Sequence, residues 1–344
     1  MAKSQRPILI TGVAGFIGFS VARGLLKKGS NVVGIDNLNP YYDPKLKESR
    51  LKNIYKLQEN KENTLKFYKN DIENKLLLEE IFKKHNPKYV INLAAQAGVR
   101  YSLINPDLYL RTNILGFGNI IECCRKFDVE HLIYASSSSV YGGNSNLPYK
   151  ESSPVDHPIS LYAATKKSNE VIAHSYSNLY NIPTTGLRYF TVYGPWGRPD
   201  MAPMIFTKAI LEGEPIKIFN FGNMVRDFTY IDDIVEATIK CCNKPSTPNI
   251  QYNPLSPDPS TSNAPFRIFN VGNHKKVKLL DFISLIEENL GKNAIKDFQD
   301  LEPGDMIETF SENNSLNEWI DYHPNTSLER GIKNFIKWYL DYYK

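Results

Sequence analysis

Six short apolar runs, alternating with helical patterns, occupy the first half of the chain. They are PILITG (7–12), NVVGID (31–36), LKFYKNDI (65–72), KYVINLAA (88–95), HLIYASSSSVYG (131–142) and a run inside TTGLRYFTVYG (184–194). Strands buried on both faces read as continuous apolar runs, and parallel strands need crossovers long enough to hold a helix. The spacing therefore predicts βαβ units: an α/β fold, with a doubly wound parallel sheet covered by helices on both faces. Two segments break the rhythm. Residues 39–64 form a long polar insertion after the second strand, and residues 243–267 are rich in Pro, Ser and Asn. The latter read as a surface loop and not a domain linker, because strand-like IFNVGN (268–273) follows at once. The second half has shorter elements and no βαβ period.

With 344 residues, 42% of them hydrophobic, the chain can bury a large core. The net charge of +4 comes without a dense Lys/Arg cluster carrying interleaved aromatics, so nucleic acid is not an expected partner. A mild positive balance suits a small anionic substrate. No apolar run is long enough to span a membrane, and MAKSQRPILITG holds no apolar leader, so a cytoplasmic protein is expected. The four cysteines form two adjacent pairs, Cys123–Cys124 and Cys241–Cys242, without zinc-ligand spacing. They read as buried reduced thiols, and no metal site is expected.

The turn after the first strand is TGVAGFIG, with Gly12, Gly15 and Gly18. Glycines there permit a tight turn and let backbone approach a pyrophosphate at a helix N-terminus, where free N–H groups and the dipole favour anions. Asp36 ends the next strand. Its carboxylate can accept from a ribose 2′-hydroxyl and would repel a 2′-phosphate, which favours NAD over NADP. Downstream, SLYAATKK (160–167) places Tyr162 and Lys166 on one helical face. A free tyrosine titrates near about 10 and is a poor base at neutral pH. A nearby ammonium and a cationic nicotinamide ring would favour its phenolate.

The G-x-x-G-x-x-G spacing with Tyr-x-x-x-Lys resembles the extended short-chain dehydrogenase/reductase family. The matching pieces are TGVAGFIG, ND before Ile72, NLAAQAG (92–98), SSSSVYG (136–142), YAATK (162–166) and LRYFTVYGP (187–195), in order along most of the chain. The resemblance implies a Rossmann-type NAD-binding domain over 1–187 and a smaller, mixed α/β, mainly UDP-sugar-binding domain over 188–344. A segment near 228–244 is expected to return to the first domain. It also implies an NAD site made by Gly12, Gly15, Phe16, Ile17, Gly18, Asp36, Asn37, Asp71, Ile72, Leu93, Ala94, Ala95, Gln96, Asn113, Ser136 and Tyr189, with Tyr162 and Lys166 at the nicotinamide end. Asp71 would meet the adenine. Ser137 would hold the substrate hydroxyl in line with Tyr162.

Nucleotide-sugar 4,6-dehydratases of the family carry an Asp–Glu pair where this chain has Ser138–Ser139. Serine hydroxyls cannot do that acid/base work at neutral pH. The sharper resemblance is to the family's UDP-glucuronate 4-epimerases. It rests on NLNPYYDPKLKESRL, QAGVRYS, VDHPISLYAATKKSNE, PWGRPDM and SPDPSTSNAPFR. It implies interconversion of UDP-glucuronate and UDP-galacturonate by transient C4 oxidation with tightly bound NAD. The sugar carboxylate would then meet Ser138, Ser139, Thr191 and Arg198, with Arg100 as another cation near the sugar. Arg226 would grip the diphosphate, and Asp305 would lie in the segment closing over uridine. UDP-glucuronate decarboxylases, UDP-glucose or UDP-N-acetylglucosamine 4-epimerases and a non-catalytic NAD sensor stay open as rivals. The family's homodimer, built as a four-helix bundle, would use the helices around 105–125 and 162–180.

Overall fold

The computed structural model describes residues 6–58, 63–301 and 306–344. Its centre is a seven-stranded sheet of β1 (Ile8–Thr11), β2 (Val32–Asp36), β3 (Leu65–Lys69), β4 (Tyr89–Asn92), β5 (His131–Ser137), β6 (Thr184–Tyr189) and β11 (Phe266–Val271). The spatial order is β3-β2-β1-β4-β5-β6-β11 and every pairing is parallel. Successive residues along each central strand feed opposite cores. Leu9, Val33, Val90 and Leu132 join one cluster, while Ile10, Val32, Ile91 and Ile133 join the other. That period of two, apolar on both faces, is why these strands read as unbroken hydrophobic runs.

Helices α3 (Lys75–His85), α6 (Phe117–Lys126) and α7 (Leu161–Tyr180) cover the first face through Leu78, Phe82, Phe117, Ile120 and Ala173. Ser160 starts α7 by accepting from the Ala163 N–H at 3.2 Å, and Asn181 ends it in the left-handed region, φ 54°. Helix α1 (Phe16–Lys27) covers the second face with Phe16, Phe19, Ala22, Leu25 and Leu26. The polar insertion is itself a crossover helix, α2 (Pro44–Gln58). Ahead of α6, the chain runs through two short turns, α4 (Tyr101–Ile104) and α5 (Pro106–Tyr109), and a π-helical stretch, Leu110–Gly116.

The chain crosses between the sheet and the rest more than once. Strands β7 (Thr191–Tyr193), β8 (Pro215–Ile218), β9 (Val225–Arg226) and β10 (Phe228–Tyr230), with α8 (Ala202–Glu212), build the second half. Then α9 (Ile231–Cys242) packs on α1, so closely that a Cβ on Gly24 would lie 2.8 Å from Ile239 and 2.9 Å from Val235. The proline-rich loop leads to β11, which extends the main sheet beyond β6 in the register Phe266↔Thr184 to Val271↔Tyr189. Strands β12 (Val277–Lys278) and β13 (Ile295–Phe298) pair with β9 and β8. Helices α10 (Leu279–Leu290), α11 (Asn314–Ile320) and α12 (Leu328–Tyr343) close the structure, with Phe282 stacked on Phe228 at 4.1 Å.

Sheet order reverses between β1 and β4. The crevice beyond the carboxyl ends of strands at such a switch point is where open α/β sheets bind ligands.

Candidate active site

The turn from β1 into α1 is forced by its glycines. Gly12 has φ 71°, and a Cβ there would come within 2.8 Å of the Ala94 nitrogen. A Cβ on Gly18 would sit 2.1 Å from the Gly12 carbonyl oxygen. The turn is therefore drawn against both β4's exit and the first turn of α1. Gly15 caps α1 without a side-chain hydrogen bond, and the first turn carries no acidic residue. Its backbone N–H groups and the dipole are left for an anion. This cradle fits a dinucleotide's pyrophosphate on this chain's own geometry.

Asp36 is buried at the end of β2. One carboxylate oxygen accepts from the Ala14 N–H at 3.0 Å and the other from the Leu38 N–H at 2.8 Å. It thus braces the glycine turn while keeping lone pairs for a ribose hydroxyl. Asn37 donates to the Asp71 carboxylate at 2.8 Å, so these two expected cofactor residues are joined. Ile72 is buried against Gly116, where a Cβ would be 2.6 Å from its side chain. Across the switch point, Thr11 donates to Asn92 at 2.6 Å and accepts from the Ala94 N–H at 3.2 Å. That fixes the start of the segment holding Leu93, Ala94, Ala95 and Gln96. Asn113, inside the π-helical stretch, clamps Gln96 both ways: its oxygen accepts from the Gln96 N–H at 2.8 Å and its nitrogen donates to the Gln96 carbonyl at 3.0 Å. The same nitrogen donates to Thr165 on α7 at 3.0 Å. Asn113 thereby ties the cofactor-side segment to the helix that carries Tyr162 and Lys166.

Ser137 ends β5, and Ser138–Tyr141 turn at once into a 3₁₀ helix. The Ser137 hydroxyl donates to the Ser139 hydroxyl and accepts from the Ser139 N–H, both at 3.2 Å, and it stands close enough to the Tyr162 phenol to lower its pKa. Lys166, one turn on from Tyr162, donates to the Ala135 carbonyl at 2.9 Å, and its ammonium lies 6.0 Å from the centre of the Tyr162 ring. Burial lowers the Lys166 pKa to about 8. The Tyr162 phenol moves the other way from the expectation of a lowered pKa. Burial pushes it up, against the Ser137 hydroxyl and the Arg198 charge, which both lower it. The ammonium is turned to a main-chain carbonyl, so the compensating cation on the protein side is Arg198.

Arg198, beyond β7, is held by Asp200. Its Nε donates to one carboxylate oxygen at 3.0 Å and its Nη2 to the other. Thr191 opens β7 through a backbone bond to Asp227 at 3.2 Å. The Arg100 guanidinium lies 4.4 Å over the Phe219 ring, and Arg226 donates to the carbonyls of Val225 and Ile307 at 2.9 and 3.1 Å. Two expected cofactor residues spend their hydroxyls elsewhere. Ser136 donates to buried Glu170 at 2.6 Å, and the Tyr189 hydroxyl pairs with Thr238 at 2.8 Å. Adjacent strand residues point to opposite faces, so Ser136 and Ser137 cannot both face the crevice. Asp305 lies outside the described residues.

Residues 8–253 match the sequence profile of the NAD dependent epimerase/dehydratase family. The chain belongs to this family. As in other members, its cofactor is NAD. The epimerase family chain is 53% identical over 337 residues to Protein CapI of Staphylococcus aureus, covering 98% of this chain and 99% of that one. It is 42% identical to a probable UDP-glucuronate 4-epimerase of Rhizobium meliloti, covering 98% and 97%. Among solved structures, UDP-glucuronic acid 4-epimerase from Bacillus cereus, in complex with UDP-glucuronic acid and NAD, superposes with a TM-score of 0.84 at 32% identity, covering 97% of this chain and 99% of that one. The chain is a nucleotide-sugar 4-epimerase by family. Among the described residues there is no cluster able to hold a metal ion and no helix long and apolar enough to cross a membrane.

Tyr41, Lys47 and Arg50 in the insertion, Asp200, Thr165 and the Glu170–Arg188 pair stand inside the motif stretches, but sequence assigned none of them a role. Contacts such as Tyr41 with Asp200 and Asn113 with Thr165 join segments far apart in the chain, which neither periodicity nor motif spacing shows.

Proposed function

We propose that this epimerase interconverts UDP-glucuronate and UDP-galacturonate. The observation that supports the choice of sugar is Arg198, a cation close enough to Tyr162 to lower its pKa; Ser138 and Ser139, after β5, and Thr191, at the start of β7, are the hydroxyls assigned to the same carboxylate. A neutral hexose needs no such cation near its C6. Ser137 holds the sugar 4-hydroxyl, and Tyr162 as phenolate takes its proton. Bound NAD accepts the C4 hydride and later gives it back. The planar 4-keto sugar turns on its diphosphate link and shows its other face. Tyr162 then returns the proton. Lys166 holds the nicotinamide ribose, and the turn at Gly12, Gly15 and Gly18 holds the pyrophosphate, with Asp36 on the adenine-side ribose.

A 4-keto uronic acid is a β-keto acid and can lose CO₂ when its carboxylate bond lines up with the carbonyl π system. Donors from Ser138, Ser139, Thr191 and Arg198 keep that bond out of line. The proposed enzyme works as a homodimer. Leu110, Leu115, Val171, Leu179 and Tyr180 stay exposed on the helices around 105–125 and 162–180, an apolar face suited to a helix bundle.

The deciding experiment incubates purified protein with UDP-glucuronate without added NAD and resolves products by proton NMR. UDP-galacturonate without CO₂ supports the reading and a retained cofactor. UDP-xylose or a 4-keto pentose moves the chain to the decarboxylases. Turnover of UDP-glucose or UDP-N-acetylglucosamine alone keeps the chemistry and discards the sugar.

A further inference from the structure

The crossover between β2 and β3 reaches the Arg198 loop at two points. First, the Tyr41 hydroxyl donates to the Asp200 carboxylate at 3.0 Å, on the oxygen that also receives Arg198 Nη2. The Arg198 guanidinium carbon stands 6.0 Å from the centre of the Tyr41 ring. Second, Arg50 on α2 is 0% exposed, and its fork is spent on neutral oxygens. One nitrogen donates to the Ala14 carbonyl at 2.9 Å and the Tyr42 hydroxyl at 2.6 Å. The other donates to the carbonyls of Trp196 at 2.7 Å and Gly197 at 3.2 Å. Trp196 holds a left-handed backbone, φ 65°, which costs energy for a bulky residue unless its surroundings enforce it. Arg50 supplies that enforcement two residues before Arg198.

Asp200 takes both the Nε and Nη2 of Arg198. The guanidinium is planar, so its third nitrogen is aimed by that pairing and offers its donors in one direction. We infer that Tyr41 and Arg50 are positioning residues for Arg198, and that through them the β2–β3 crossover sets the site's preference for an anionic over a neutral sugar. The inference rests on the substrate reading above. Tyr41 holds the Asp200 oxygen that receives Arg198 Nη2, Arg50 fixes the backbone feeding Arg198, and both start from the segment that also braces the dinucleotide turn at Ala14.

The test titrates UDP-glucuronate and UDP-glucose separately into NAD-loaded protein by calorimetry. Loss of one supporting hydrogen bond is expected to weaken UDP-glucuronate about threefold to tenfold in Tyr41→Phe, and UDP-glucose by less than about twofold. Arg50→Lys, which keeps the cation and loses the fork, is expected to act in the same sense. In an Arg198→Ala background, Tyr41→Phe is expected to add nothing, because coupled groups are not additive. Equal weakening of both sugars, or a full Tyr41→Phe effect without Arg198, overturns the inference; Tyr41→Phe alone decides it if Arg50→Lys does not fold. Wild-type protein that binds both sugars alike overturns the substrate reading and the inference with it. A uronate-selective wild type with unchanged variants overturns only the inference.

Discussion

The Lys166 ammonium donates to the carbonyl oxygen of Ala135 at 2.9 Å, two residues before Ser137 on the strand that ends at the crevice. The bond locks the lysine to the strand bearing the substrate-side serine. It also leaves a buried cation resting on a neutral acceptor, and that burial brings its pKa down to about 8.

A stability consequence follows from that shift. The folded-state pKa lies below the unfolded one, so the folded protein resists the charged form. The penalty is full below about pH 8 and disappears as pH rises toward about 10.5, the unfolded value, where neither state is charged. Lys166→Met removes it. Relative to wild type, the variant gains stability on the order of 3 kcal/mol below pH 8, and the gain shrinks toward zero as pH rises to the unfolded value. Urea unfolding of both proteins at pH 7 and pH 9.5 checks this; a gap that does not change with pH would refute it.

Tyr162→Phe keeps the ring, which packs edge-on to Tyr109 with centroids 6.2 Å apart, and removes only the hydroxyl that meets Ser137. Turnover is expected to drop by about 10²- to 10⁴-fold, the range of general acid–base catalysis, with UDP-sugar affinity changed only a few-fold. Steady-state rates and a binding titration separate the two. A matching loss in affinity would make Tyr162 a binding residue instead of the base.

Glycine substitutions should grade with the space available. Gly18→Ala drives a methyl to 2.1 Å from the Gly12 carbonyl, Gly15→Ala brings one to 3.0 Å from the same oxygen, and Gly118→Ala meets nothing within 4 Å. Retained NAD, read by absorbance after gel filtration, is expected to be lost in the first, reduced in the second and unchanged in the third. Melting temperature for Gly118→Ala should hold or rise, since a helical Gly costs roughly 0.5–1 kcal/mol against Ala. NAD retention by Gly18→Ala would mean that the turn does not carry the pyrophosphate.

The sheet was readable because β1, β2, β4 and β5 are apolar on both faces and are separated by helical patterns, whereas α2 was hidden in a polar insertion. The last strand was harder to place. Residues 268–273 read as strand-like from sequence, two residues off β11 itself, but nothing local shows that this strand pairs with β6, some eighty residues earlier, in register Phe266↔Thr184. The glycine turn, Asp36, Ser137, Tyr162 and Lys166 could be singled out because the roles proposed for them demand set positions at strand ends and helix starts, at β1–α1, β2, β5 and α7. Ser136 and Tyr189 show where motif reading stops. A motif marks both alternating faces of a strand alike, and only the packed structure sends Ser136 to Glu170 and Tyr189 to Thr238. Arg50 was invisible because a polar helix position looks the same whether it faces water or carries four hydrogen bonds at 0% exposure.

The pair behind Ser136 makes the last prediction. Arg188 on β6 is 0% exposed and meets Glu170 on α7, 1% exposed, through two parallel bonds of 2.8 and 3.0 Å. Ser136 donates to the same carboxylate at 2.6 Å, so β5, β6 and α7 are knotted one turn beyond Lys166. Glu170→Gln keeps the shape but leaves the Arg188 charge buried without its counter-charge. Breaking a buried pair from one side typically costs about 3–5 kcal/mol, whereas replacing both partners with apolar residues costs far less. Urea unfolding should therefore rank Glu170→Gln below wild type by that amount, with the double variant Glu170→Met/Arg188→Met well above the single. Because the knot also seats Ser137 and Lys166, both variants are expected to lose turnover at temperatures where they are still folded. A single variant that unfolds within about 1 kcal/mol of wild type would show that the charge finds another partner or solvent, and that the knot holds the strand by packing alone.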